Sequence, residues 1–211
     1  AIVASSIPVA VGVAFSNKYQ RNKKYAAVFF GDGAVDEGVF WESINFASLK
    51  KLPILFICED NGFAVHTPRK ERHGFHSMSE IISKFNCIAI EKETTDVETI
   101  YHTTKIAIKR MKESSQPCFL RFPYYRYLEH VGINEDFEEG YRSKKEFLQW
   151  MDKDPLKLQR EKLLHSGVTR ESLYKLEHSI DDMITHSIQL AQKTSFSDIS
   201  ETYKGVFRCE I

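Results

Sequence analysis

Net charge is the first thing this chain lacks. Its 29 lysines and arginines are balanced by 29 aspartates and glutamates. A phosphate-reading surface normally shows as a basic excess, so the balance argues against nucleic acid as the main partner, though a local basic patch is compatible with it. Cysteine is scarce as well: Cys58, Cys87, Cys118 and Cys209 contain no C-x-x-C pair. That spacing suggests neither a zinc knuckle nor a disulfide framework. Three of the four lie in apolar runs, where a thiol behaves as a small hydrophobe, so a reducing compartment is expected, the cytoplasm or, in a eukaryote, the mitochondrial matrix. Long hydrophobic runs are missing too, and none reaches the roughly 18 residues of a membrane-spanning helix. The apolar opening AIVASSIPVAVGVAF is interrupted by Pro8 and has no basic stretch before it, which argues against a signal peptide. The chain starts at Ala1 rather than methionine, and a further upstream segment is expected.

What is present suffices for a sizeable core: 211 residues, 42% hydrophobic and 12% aromatic, fit one domain with an appendage. Short apolar runs alternate with helical patterns up to about residue 125. Residues 25–30 (YAAVFF) and 54–58 (ILFIC) read as strands, with weaker candidates at 87–90 and 118–122. Continuous apolar runs of this length suit strands covered on both faces, as in parallel sheets. Helices are expected over 5–20, over 36–51 (Phe40, Ile44 and Ala47 on one face) and over 97–112. The order gives an α/β fold with a mostly parallel sheet flanked by helices. Residues 123–145 are aromatic, acidic and aperiodic, a long surface loop of the kind that is usually functional or disordered. Two helices follow, about 144–165 and 169–194, the second with Thr169 as its N-cap. The resulting division is an α/β domain over 1–128, a loop over 129–145 and a helical appendage over 146–211.

Gly31-Asp32-Gly33-Ala34 stands at the carboxyl end of the first strand, where open α/β sheets place their ligands. Glycines there let backbone amides approach a phosphate, and a carboxylate can hold a hard cation. Alone, the motif is equally an ordinary turn. The second strand ends in Glu59-Asp60-Asn61-Gly62-Phe63, and one strand–helix–strand unit brings Asp32 and Asn61 to neighbouring strand ends. A carboxylate, an amide oxygen and room for a backbone carbonyl suit Mg²⁺ shared with a diphosphate.

The stretch GDGAVDEGVFWESINFASLKKLPILFICEDNGFAVHTP resembles the thiamine diphosphate motif of 2-oxo acid dehydrogenase E1 α subunits, the pyruvate, branched-chain and acetoin dehydrogenase family. AIVASSIPVAVG and YYRYLEHVGINEDFEEGYRS are similar to that family's stretch before the first helix and to its active-site loop. The resemblance implies an oxidoreductase subunit that binds thiamine diphosphate and Mg²⁺ for decarboxylation of a 2-oxo acid, or cleavage of a related ketone, with acyl transfer to a lipoyl carrier. Asp32, the Asn61 side chain and the Phe63 carbonyl would hold the metal. Gly33 and Ala34 would lie against the diphosphate, and the backbone of Ala1 and Val3 would face the cofactor. His130 is the implied catalytic histidine, with Arg126 as support or phosphate contact. The cofactor-activating glutamate would come from a β subunit, in an α₂β₂ assembly, with a lipoyl-bearing E2 acyltransferase as a further partner and neither nucleic acid nor membrane involved. The family's N-terminal stretch is not included in this sequence. The alternative is a non-catalytic scaffold or binding subunit that keeps the fold.

Four departures from the family pattern stand out. Asp60 replaces the first asparagine of an Asn-Asn pair, Ser6 replaces glutamine, Leu128 and Glu129 precede the loop histidine, and Val131 follows it where mitochondrial members carry a phosphorylatable serine. From its neighbours alone His130 is an ordinary loop histidine, and His73 with His76 lacks the third ligand of a metal site. Glu37 and Glu42 read as solvated, dipole-complementing residues at a helix start. The loop's acidic residues (Glu129, Glu135, Asp136, Glu138, Glu139) predict mutual repulsion and mobility until a ligand docks.

Overall fold

The computed structural model describes residues 2–205. These form two compact units, one up to residue 159 and one from residue 160 onward. No described helix is long and apolar enough to cross a membrane.

The first unit opens with α1 (Ser6–Tyr19), whose Ile7, Val11 and Ala14 recur at helical spacing and are buried. Strand β1 (Ala26–Gly31) leads into a 3₁₀ turn at Asp32–Asp36 and then α2 (Gly38–Lys50), which buries Phe40, Ile44 and Ala47. After β2 (Ile54–Asp60) comes a hairpin of two-residue strands, β3 (Phe63–Ala64) and β4 (Thr67–Pro68). A short α3 (Met78–Ile82) precedes β5 (Ile88–Glu91), α4 (Val97–Ser114) and β6 (Cys118–Pro123). The hairpin and α3 carry too few residues to leave a period in the sequence.

The main sheet is parallel throughout, in the order β1-β2-β6-β5. One core layer packs α1 and α2 against Val28, Phe30, Phe56 and Phe119. The other packs α4, through Ala107 and Met111, against Leu55, Ile88 and Leu120. The β1–α2–β2 unit advances in one direction along the sheet and β5–α4–β6 returns in the other. The strand order therefore reverses between β2 and β6, the crevice where such sheets receive ligands.

The expectation of strands covered on both faces holds for β2 and fails for β1. Strand β2 is buried along almost its whole length, whereas β1 alternates buried and exposed residues. The reason is position: β1 is an edge strand, and α4 covers β5 and β6 instead. Phe29 is consequently 61% exposed. It opens onto a cleft of about 590 Å³ lined also by Ile57, Glu59, Tyr124, Trp150 and Leu156.

The single helix expected over 144–165 is two: α5 (Lys144–Met151) and α6 (Pro155–His165). Asp154 accepts a hydrogen bond from the Lys157 amide (2.9 Å) and so caps α6, while Pro155 fits a first helical position because no intrahelical donor is needed there. In the second unit α7 (Arg170–Lys193) starts as expected, with Thr169 accepting from the Ser172 amide. Leu173 is buried, whereas Leu176, Ile180, Met183, Ile184 and Ile188 of the same apolar stripe are exposed.

Candidate active site

Asp32 is the first residue of the turn that ends β1, and only 1% of its surface reaches solvent. Its carboxylate pairs with the Arg72 guanidinium (2.5 Å), whose other arm holds Asp36 (2.5 Å). Burial pushes the Asp32 carboxyl above its usual range, and the charge of Asp60 adds to the push, with Arg72 offsetting part of both. Gly33 follows because the turn lies directly on β3. A Cβ there would stand 3.0 Å from the Ala64 Cβ and 3.4 Å from its Cα, closer than a side chain sits without displacing backbone. Ala34 and Val35 are buried beside it.

On the neighbouring strand, Asp60 is 3% exposed and is the hub of the β2–β3 turn. One carboxylate oxygen accepts from the Gly62 amide (2.8 Å), and the other receives both Arg69 and Arg121 Nε. Arg121 also reaches Glu93 (2.7 Å). Burial alone would depress the Arg121 guanidinium, but Asp60 and Glu93 outweigh it and hold the charge firmly. Asn61 turns its amide oxygen onto the Phe63 amide (2.8 Å) and donates from its nitrogen to the Tyr124 hydroxyl (3.1 Å). Since Tyr124 follows β6, this bond bridges the crevice between β2 and β6. An amide oxygen has two lone pairs, so Asn61 keeps one acceptor position after serving Phe63.

The loop at 123–145 carries a network of side-chain bonds. Asp136 is buried and paired with Arg142, which also donates to the Arg126 and Leu128 carbonyls. Tyr141 donates to Asp136 and accepts from Arg126 (2.5 Å). Three of the loop's five acidic residues have partners: Asp136 pairs with Arg142, Glu135 with Lys144 (3.7 Å), and Glu129 accepts from Asn134 (2.9 Å). Gly132 has a φ of 138° and lies beneath the Glu129 carboxylate. Burial raises the Asp136 carboxyl, but the Tyr141 and Arg142 hydrogen bonds and the arginine charges prevail and set it below the usual range.

His130 is exposed in this loop, and its Nδ1 lies 3.0 Å from Arg126 Nη1. A guanidinium can only donate, so Nδ1 is the acceptor and the neutral ring carries its proton on Nε2. Tyr141 links this pair to the strand-end group, because it meets the Phe63 ring edge-on (5.3 Å) and stacks on His66 (4.6 Å).

The fold thus assembles Asp32, Gly33, Ala34, Asn61 and Phe63 on adjacent strand ends and pairs Arg126 with His130 in the overlying loop. Val3 lies in an exposed turn before α1, without a described contact to that group. Ala1 lies outside the described residues, as does Cys209. His73 is tied to Asp36 (2.9 Å) and stacked on Phe75, and Cys58, Cys87 and Cys118 are buried thiols. Sequence reasoning missed Arg69, Arg72, Arg121, Tyr141 and Arg142. For Arg121 a signal existed: an arginine inside the apolar run CFLRFP has to meet a carboxylate.

Comparison with known proteins bears on the family and the fold. The sequence profile of the Dehydrogenase E1 component family matches residues 1–200. The chain is 28% identical over 207 residues to "Pyruvate dehydrogenase E1 component subunit alpha" of Rickettsia felis, covering 98% of this chain and 63% of that protein. It is likewise 28% identical to the protein of the same name from Zymomonas mobilis, covering 97% of this chain and 57% of the relative. The chain therefore spans somewhat under two thirds of the length of these relatives. In structure it resembles transketolase from Campylobacter jejuni, with a TM-score of 0.51 at 21% identity over 57% of this chain and 20% of the other. A transketolase mutant from Pichia stipitis gives the same TM-score at 20% identity, over 57% of this chain and 19% of that one. That likeness shows an α/β fold shared with transketolase, and the profile match places this chain in the dehydrogenase E1 component family.

Proposed function

We propose that this chain is the diphosphate-holding part of an E1 α subunit that works with thiamine diphosphate and Mg²⁺ on a 2-oxo acid. The observation that carries the reading is a solvent-free carboxylate, Asp32, beside the Asn61 turn at the point where the strand order reverses. The donor set fits a hard cation that shares its shell with phosphate oxygens: the Asp32 carboxylate, the spare lone pair of Asn61 Oδ1 and the Phe63 carbonyl. Gly33 and Ala34 offer backbone to the diphosphate. The bound cofactor supplies an electron sink for cleavage next to a carbonyl, and the protein supplies orientation and electrostatics.

The residues of this chain then divide the work. Asp60, fixed by two arginines, shapes the turn that presents Asn61 and Phe63. Tyr124 holds the Asn61 amide so that its oxygen stays on the metal side of the turn. His130 Nε2–H is a donor within an exposed loop, and Arg126 fixes its tautomer. A β subunit would complete the site, in an α₂β₂ assembly, and a lipoyl-bearing acyltransferase would accept the acyl group.

One observation favours the second reading, a scaffold without catalysis: Asp32 already carries a cation, Arg72. Calorimetry on the full-length α chain with its β partner separates the two. Thiamine diphosphate should bind only with Mg²⁺ present, and Asp32→Ala should remove that binding. Affinity unaltered by the substitution would retire the assignment.

A further inference from the structure

Parallel register places Gly31 opposite Glu59, so the next residues, Asp32 and Asp60, stand side by side at the ends of β1 and β2. Neighbouring strands are about 4.8 Å apart, and both side chains are 1% exposed. Two carboxylates so placed need cations, because an unpaired buried charge is strongly unfavourable. The compensation is unequal. Asp60 has Arg69 and Arg121, whereas Asp32 has Arg72 as its one described ion-pair partner.

Arg72 is itself nearly solvent-free, at 8% exposure, and uses all three guanidinium nitrogens. Nη2 donates to Asp32, Nη1 to Asp36 and Nε to the Thr67 carbonyl (3.2 Å). Thr67 belongs to β4, so the same side chain ties the turn after β1 to the hairpin that carries Phe63. Asp36, at 32% exposure, is the more accessible of its two carboxylate partners.

Resting on the reading of Asp32 as a metal ligand, we propose that Arg72 is the resident counter-cation of that site and competes with the divalent ion for the Asp32 carboxylate. In the metal-free chain Arg72 neutralises Asp32 and clamps the hairpin. On metal entry it gives up Asp32, while Nη1 stays on Asp36 Oδ2 and Nε on the Thr67 carbonyl. Arg72 is thus a positioning residue that sets how tightly the ion is held, without touching the reacting atoms.

The test uses the full-length protein and Mn²⁺ alone as probe, followed by electron paramagnetic resonance, with no cofactor added. Arg72→Gln should bind Mn²⁺ about tenfold more tightly or better, the scale on which a nearby cation alters a carboxylate's affinity for a proton. Arg72→Lys keeps the charge and loses the three-point anchoring, so it should fall between wild type and Arg72→Gln. If Arg72→Gln does not fold, the lysine variant decides. In thermal melts, saturating Mn²⁺ should raise the melting temperature of the variants by more than it raises that of wild type. Variants that bind no tighter than wild type, while Asp32→Asn still abolishes binding, would overturn the role of Arg72 and leave the metal site standing. Mn²⁺ binding indifferent to Asp32→Asn in every background would remove the metal site itself.

Discussion

Asp32 at the end of β1 and Asp136 in the aromatic loop are both nearly solvent-free and both paired with arginine, yet their carboxyls are displaced in opposite directions. The difference lies in what surrounds the pair. Asp32 lies among sheet and helix with Asp60 as a neighbouring like charge, so desolvation prevails. Asp136 lies under a loop, receives hydrogen bonds from Tyr141 and Arg142, and stands near a second arginine, Arg126, at 3.6 Å. One arrangement leaves a carboxylate in want of a stronger cation; the other saturates it. The first suits a binding site, the second a structural clasp.

The sharpest way to break this contrast is to remove Asp60. Asp60→Ala takes the buried partner from Arg121, leaving it Glu93 and Glu91, and removes the carboxylate that Arg69 meets. We expect urea unfolding to register a loss of about 3 kcal/mol, the low end of the cost of removing one partner of a buried pair. A loss below about 1 kcal/mol would mean that the strand-end charges are solvated and that the contrast has no basis.

Acid should act on the clasp. A carboxyl lowered in the folded state contributes stability above its unfolded pKa of about 4, and that contribution is lost as pH falls through the lower folded value. Hydrogen exchange across 126–143 should therefore be slow at pH 5 and rise below about pH 4. In Asp136→Asn the rise should vanish, with protection already reduced at pH 5. Protection independent of pH in the wild type would mean that Arg142 holds the loop through the Arg126 and Leu128 carbonyls alone.

The smallest effect lies at the loop's other end. Tyr127 donates to Asp154 (2.5 Å), and burial followed by that carboxylate pushes the Tyr127 hydroxyl up to about 12. Tyr127→Phe should cost about 1 kcal/mol in denaturant unfolding and leave cofactor binding unaltered. A larger loss would make the aromatic packing of Tyr127 on Phe147 (5.9 Å) dependent on the hydroxyl.

Much of the fold was legible because it depends on local pattern. The period of α1, α2 and α4, the apolar run of β2 and the Gly-Asp-Gly turn each encode their own position. The juxtaposition of Asp32 with Asn61 was legible for the same reason, since a single β–α–β unit brings them together. The break between α5 and α6 was marked by Pro155, yet the apolar spacing on either side reads continuously through it. The arginines were not legible, because Arg69 and Arg72 sit in a basic run, RKERH, that looks like a solvated surface. Their partners lie 9 and 40 residues away, and only tertiary structure selects them. The loop's partners were hidden in the same way: only tertiary structure brings Arg142 to Asp136 and Lys144 to Glu135.

Strand β1 has a consequence for handling the protein. Among the described residues it pairs on one side only, and the sequence AAVFF along it carries no charge or proline. Edges of that kind recruit other strands. Expressed as residues 1–211 alone, the polypeptide should associate edge to edge and precipitate with time. A lysine at Phe29, on the exposed face, is the substitution that would keep it in solution.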